Sequence, residues 1–288
     1  MTLDRAALEG ALAAHGAVAR VVVAEARGSV PRGAGTEMLV WIDGQSGTIG
    51  GGALEWRAAA LAREALGDGR ARVERMPLGP ALGQCCGGAV TLVVERLDRA
   101  PPDPWLRRVE GDRPAPPDPR PGLHDGWMLE RDEPSPRPLW IWGAGHVGRA
   151  LVAVAAPLPG RTITWVDVAA ERFPPAATDP PAVGRLVAAD PARAMAHAPA
   201  DADHLILTHS HEIDLALCHA ALRRGFRTCG LIGSATKWAR FRGRLRALGH
   251  DHDAVARIVC PIGDPALGKH PQGIAIGVAA ALARDGDR

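Results

Sequence analysis

Cys85 and Cys86, followed by Gly87 and Gly88, put two adjacent thiols on a glycine turn that a packed core does not require. A thiol in such a turn is exposed more often than a core cysteine, and it can ligate a metal or accept sulfur. No C-x-x-C and no distant Cys/His pair accompanies it, so a structural zinc site is not expected. Two more glycine-punctuated loops precede it: Gly28-Ser29-Val30-Pro31-Arg32 and the Gly50-Gly51-Gly52 turn. Glycine clusters permit positive φ and close backbone approach, which suits cradling a phosphate or a planar heterocycle and equally suits an ordinary tight turn. Ser29, Arg32, Gly50, Gly51, Gly52, Cys85, Cys86 and Gly87 are therefore the candidate ligand-binding residues of the first half.

The second half carries Gly143-Ala144-Gly145-His146-Val147-Gly148, a G-x-G-x-x-G run between the apolar stretch Leu139 to Trp142 and a helical pattern. In that context Gly143 makes the tight turn, Gly145 admits a phosphate to the backbone, and Gly148 lets helix and strand pack closely. The amides at the helix start, His146 among them, then face the anion. Asp167, at the end of the next predicted strand, is placed to accept hydrogen bonds from a ribose 2′-hydroxyl, which makes NAD(P) or another nucleotide one ligand of this crevice. A pterin phosphate would use the same amides, and a sheet of this kind that binds no dinucleotide is the plain alternative.

Thr208-His209-Ser210-His211-Glu212-Ile213-Asp214 sets two histidines and an aspartate where imidazoles and a carboxylate could meet on zinc. The spacing departs from H-x-H-x-D-H by one residue, so lining of the crevice is preferred, with Asp214 as a helix N-cap the local alternative. The next strand end holds Gly233-Ser234-Ala235-Thr236-Lys237, where Ser234 and Lys237 either bind an anion or cap the helix and face solvent. Arg240, Arg242, Arg244 and Arg246 continue this basic segment.

The elements that must position these residues follow from periodicity. Helices are predicted over 4–15 and 54–66 and strands over 18–24, 38–42, around Val73 and over 90–95, which makes the first 98 residues an α/β domain. Prolines 101, 102, 104, 114, 116, 117 and 119 mark 99–137 as a linker, with a possible short strand over 126–130 left unassigned. From 138 to 288, strands over 139–142, 162–166, 204–208, 228–232 and 258–261 alternate with helices over 147–156, 214–223, 237–248 and 271–283. That alternation predicts a Rossmann-like doubly wound parallel sheet.

Composition narrows the function. With 34 basic against 32 acidic side chains, a net charge of +2 offers no long-range field for nucleic acid or an anionic membrane. No apolar run is long enough to span a bilayer, and Asp4, Arg5 and Glu9 interrupt any leader, so a cytoplasmic protein is expected. The five cysteines are then thiols, with Cys218, Cys229 and Cys260 read as small buried hydrophobes.

Read in order, Gly28 to Arg32, Gly47-Thr-Ile-Gly-Gly-Gly52-Ala-Leu-Glu55, Gly83-Gln-Cys-Cys-Gly-Gly88, Trp140 to Gly148, Thr208 to His211, Gly233 to Lys237 and Pro261-Ile-Gly263 resemble the xanthine dehydrogenase accessory protein family. The resemblance implies a protein that binds molybdenum cofactor (molybdopterin), protects it while a cysteine desulfurase exchanges an oxo ligand for sulfur, and passes it to the molybdenum-binding subunit of xanthine dehydrogenase. It implies no turnover, no metal site beyond the pterin-borne molybdenum, and Cys86 as the leading cofactor contact. Homodimerisation is common among such proteins, although no segment here demands it. Glu37 departs from the basic residue often found at its position in related sequences. Two other readings stand against this one: an NAD(P)-dependent oxidoreductase built on the fingerprint, and a metal-dependent hydrolase built on His209, His211 and Asp214.

Overall fold

The computed structural model describes residues 1–79, 87–175 and 183–286, and the chain divides into two compact units, Met1–Glu133 and Pro134–Arg288. The first unit begins with β1 (Thr2–Leu3) and α1 (Arg5–His15), whose N-cap Asp4 accepts the amide of Ala7 at 2.9 Å. An antiparallel sheet follows, built from β2 (Val18–Arg27), β3 (Glu37–Val40), β4 (Gln45–Gly47), β5 (Arg72–Pro77) and β6 (Ala89–Leu97) in the order β4-β3-β2-β6-β5. Between β4 and β5 runs α2 (Gly52–Asp68), which buries Leu54, Ala58, Ala62 and Ala65 against Val21, Val23 and Leu92. Strand β2 reads as a continuous apolar run because it is covered on both faces: Val21 and Val23 lie under α2, while Val22 and Ala24 pack with Met128.

That second cover comes from the stretch expected to be a linker. It contains β7 (Trp105–Arg108), β8 (Gly122–His124) and β9 (Trp127–Asp132), which with β1 form a small sheet inside the first unit. The short strand expected near 126–130 is β9. A buried ion network ties the small sheet to β2: the Arg20 guanidinium, 1% exposed, donates to Glu130 at 2.7 and 2.9 Å and to Glu37 at 2.5 Å, and Arg107 reaches Glu130 at 2.8 Å. Burial opposes the charge on Arg20, but its two carboxylates outweigh that cost and raise its pKa; burial also opposes the Glu130 charge, which the two arginines hold below the ordinary carboxylate range. Glu37 thus serves the packing of β3.

The second unit is a six-stranded parallel sheet of β10 (Arg137–Trp142), β11 (Arg161–Asp167), β12 (Val183–Val187), β13 (Asp203–Ile206), β14 (Thr228–Leu231) and β15 (Ile258–Val259). Its order, β12-β11-β10-β13-β14-β15, is the 3-2-1-4-5-6 arrangement of dinucleotide-binding sheets, with the switch point between β10 and β13. Helices α3 (His146–Ala155), α4 (Pro191–Ala194), α5 (His211–Arg224), α6 (Ala235–Ala247), α7 (His252–Ala256) and α8 (Pro271–Gly286) complete it. One core lies where α3 and α8 cover Ile141, Ile163 and Leu205; the other lies where α5 and α6 cover Trp142, Ile206 and Leu231. Cys218 and Cys229 belong to that second core, where burial pushes the Cys229 thiol up to about 12, while Cys260 is only half-buried. Among the described residues no helix is long and apolar enough to cross a membrane.

Candidate functional site

In the first unit the three glycine loops lie against one another. A Cβ on Gly88 would fall 2.3 Å from the Ser29 carbonyl oxygen, and one on Gly28 would fall 3.2 Å from Gly88 Cα, so the 28–32 loop and the Gly87-Gly88 turn touch backbone to backbone. A Cβ on Gly50 would strike the Pro31 ring at 2.6 Å and lie 3.8 Å from Arg32 Cγ. The exposed Arg32 therefore flanks the Gly50-Gly51-Gly52 turn, whose three residues all have positive φ, while the exposed Ser29 lies against Gly88. Cys85 and Cys86 lie outside the described residues.

Glu55, in the first turn of α2, folds back to hold this turn. Its carboxylate accepts the amides of Ile49 at 3.2 Å and Gly51 at 3.1 Å, the Gln45 side chain at 3.0 Å, and the Thr48 hydroxyl. Burial works to raise the Glu55 carboxyl, but the donors outweigh it, Thr48 and Gly51 foremost, and hold it below its ordinary range. No side chain caps α2, so the first helical amides beyond Gly51 remain open to an anion. Reading motifs for thiols and glycines missed Glu55 as a site residue; the available signal was a carboxylate in the first helical turn directly after a glycine run.

The fingerprint of the second unit folds as a strand, turn and helix. Gly143, at φ +123°, passes so close to β13 that a Cβ would sit 2.4 Å from the Leu207 carbonyl oxygen, and a Cβ on Gly148 would sit 2.0 Å from the Gly143 carbonyl oxygen. Trp165 Nε1 donates to that same carbonyl at 3.0 Å. Asp167, 4% exposed, accepts the Ala144 amide at 2.5 Å on one oxygen and the Val168 amide at 2.7 Å on the other, where Arg172 also pairs at 2.6 Å. Both oxygens are thus engaged by the unit itself. The residue expected to meet a ribose also fastens the turn. His146 is exposed at the start of α3, and Gly145, its N-cap, has no Cβ neighbour within 4 Å.

At the adjoining strand ends Asp214, 1% exposed, accepts the Thr208 amide at 3.0 Å and the Thr208 hydroxyl at 2.7 Å, and pairs with Lys237 Nζ at 2.5 Å. Lys237 also donates to the Ile232 carbonyl at 2.9 Å. This buried pair pins the turn after β13 to the turn after β14. Its carboxylate is consumed, His209 and His211 are exposed, and no group of three metal-ligating side chains occurs among the described residues, so the hydrolase-like convergence is not formed. The cap of α5 is Ser210 rather than Asp214. Ser234 caps α6, accepting the Lys237 amide at 3.2 Å, while Lys237 is buried rather than solvated; Gly233 lies against its side chain, where a Cβ would be 2.8 Å from Lys237 Cδ.

Fold and sites together define a two-unit α/β protein: a dinucleotide-type sheet whose glycine turn is fastened internally, and an antiparallel unit carrying three packed glycine loops. The XdhC Rossmann domain model matches residues 139–282 and the XdhC and CoxI family model matches residues 11–77, and the chain belongs to the XdhC family. It is 27% identical to the molybdenum cofactor insertion chaperone PaoD of Escherichia coli, over 91% of this chain and 81% of that one. It is 29% identical to the uncharacterized protein YqeB of Escherichia coli over 92% of its own length, and spans 42% of YqeB. A crystal structure described as a xanthine dehydrogenase from Bacillus halodurans superposes with a TM-score of 0.77 at 20% identity, covering 98% of this chain and 95% of that one, which shows the shared fold.

Proposed function

We propose that this chain is a molybdenum cofactor insertion chaperone, which shelters the cofactor while a cysteine desulfurase sulfurates it and then delivers it to an apo-enzyme of the xanthine dehydrogenase type. The observation that carries the reading is the likeness to PaoD, which runs through both units rather than through the common Rossmann sheet alone. The first unit fits such a ligand. An uncapped helix start, the Arg32 cation and the open space beside Gly51, where a Cβ would meet nothing within 4 Å, accommodate a phosphorylated heterocycle. Once seated in its enzyme, the cofactor supplies the redox chemistry through a metal held by its own dithiolene, so the carrier need not complete a coordination set. In this reading Ser29, Arg32, Gly50 to Gly52 and Gly87 bind and orient, Gly88 lets the loops close, and Cys86 makes the thiol contact.

The strand order favours the second reading, a nicotinamide-dependent oxidoreductase, but Asp167 already accepts from Ala144, Val168 and Arg172, which leaves it little capacity for the ribose that reading needs. Protein mixed anaerobically with isolated cofactor should carry pterin fluorescence through gel filtration, and Cys86→Ala should weaken retention. A wild-type protein that emerges free of pterin, or that binds and oxidises NADH instead, would contradict the chaperone assignment.

A further inference from the structure

Helix α6 carries Lys237, Arg240, Arg242, Arg244 and Arg246 and no acidic residue, in a chain whose net charge is only +2. Lys237 is neutralised by Asp214, whereas Arg240 and Arg244 are exposed and meet no carboxylate among the described residues. Three cations at i, i+3 and i+7 share one helical face. That face is concave: a groove of about 610 Å³ is lined by His211, Ser234, Lys237, Arg240, Phe241 and Arg244. Ser234 also lines a neighbouring cleft of about 440 Å³ formed by Ile232, Pro261, Ile262 and Ile274 together with Asp264 and Lys269. Both volumes lie in the range of small-ligand sites, and a concave groove with two free guanidinium forks suits a compact anion better than a flat acidic surface.

We infer that the second unit binds the phosphate of a phosphorylated heterocycle in the α6 groove, with the ring in the apolar cleft across Ser234, and not in the glycine turn at 143–148. The turn offers fewer donors because its Ala144 amide already donates to the buried, Arg172-paired Asp167 carboxylate, and among the described residues it carries no cation free to meet a phosphate as Arg240 and Arg244 do. In the groove the arginines supply charge-assisted hydrogen bonds. The Ser234 hydroxyl accepts from Lys237 and keeps its own proton to donate. A nucleotide and a pterin phosphate share this chemistry. The inference deepens the chaperone reading by adding an anion site, yet it concerns this unit alone, so its failure leaves cofactor retention by the 50–52 turn standing.

The test is calorimetric titration of the full-length protein with inorganic pyrophosphate, comparing wild type, Arg240→Gln/Arg244→Gln, and Gly145→Ala. Both arginines are exposed, so the double variant should fold, which its melting temperature checks. Binding should weaken by about tenfold or more in the double variant and stay within about twofold in Gly145→Ala. Absence of wild-type binding, equal binding by the double variant, or loss on Gly145→Ala would overturn the inference. Adenosine monophosphate and a phosphorylated pterin, titrated in parallel, identify the ring by which exceeds pyrophosphate in affinity; if neither does, the assignment of the ring to the cleft is wrong.

Discussion

The glycine turn at 50–52 and the glycine turn at 143–148 are each gripped by a carboxylate of their own unit, but the two grips are unlike. Glu55 is partly exposed, has no cationic partner among the described residues and holds two backbone amides that water can also serve. Asp167 is buried, is backed by Arg172, and sits beside a turn that Trp165 and the β13 backbone hold from other sides. Similar glycine-rich sequence therefore yields one turn gripped by a partly exposed carboxylate and one gripped by a buried, arginine-backed carboxylate, while the helix start that follows each carries no side-chain cap among the described residues. A fingerprint match defines backbone geometry, and the surrounding side chains decide whether its amides are free.

The largest test of that difference is steric. Gly148→Ala would force a Cβ onto the Gly143 carbonyl oxygen at 2.0 Å, with the Leu207 side chain at 3.1 Å, and should cost about 3 kcal/mol or more in urea unfolding of the second unit. Gly51→Ala meets nothing within 4 Å and faces only the backbone strain of φ +74°, ψ −174°, so about 2 kcal/mol is expected. Equal costs would show that the two turns are held alike.

Acid should separate the units next. His204, fully buried on β13, accepts a hydrogen bond from Trp142 Nε1 at 3.2 Å, and burial pulls its pKa from 6.5 to about 4. The unfolded chain gains a proton below about 6.5 that the folded unit refuses until about 4. Stability of the second unit should therefore fall as pH drops through that window, by roughly 3 kcal/mol in all, and His204→Gln should flatten the slope. An unchanged pH profile in the variant would remove His204 as the cause.

The carboxylates themselves give the smaller effects. Asp167→Ala should cost roughly 2 kcal/mol by orphaning the Ala144 amide and Arg172, against about 1 kcal/mol for Glu55→Ala, where water replaces the lost acceptor. Because the folded pKa of Glu55 is depressed, its contribution is complete above the ordinary carboxylate value of 4.5 and is lost as pH falls further. Wild type and Glu55→Ala should thus converge in denaturation midpoint at acid pH. A gap that persists there would show that Glu55 acts through packing and not through its charge.

Much of this architecture is written locally. The fingerprint folds as strand, turn and helix because Leu139 to Trp142, the glycines and the α3 pattern agree at each level. The strands of 105–132 were hidden by seven prolines between 101 and 119, which suppress strand patterns even though three precede β7 and four fall between β7 and β8. Strand β12, short and only half-buried with Gly184 as its second residue, offered no alternation to detect. The site was less legible than the fold for a related reason. Asp214 looked like a cap or a metal ligand because its partner, Lys237, lies 23 residues away, and Asp167 looked like a ribose acceptor because its contact with Ala144 depends on the β10–β11 register. Such pairings are tertiary, and no spacing rule contains them.

Amide hydrogen exchange of the full-length protein, with and without isolated molybdenum cofactor, tests most directly whether the yielding turn is the one that takes the ligand. Exchange at the amides of 49–53 should slow on addition of cofactor, while the Ala144 amide, held by Asp167 in both states, stays unchanged. Protection confined to 143–148, with the 49–53 amides unaffected, would contradict that assignment.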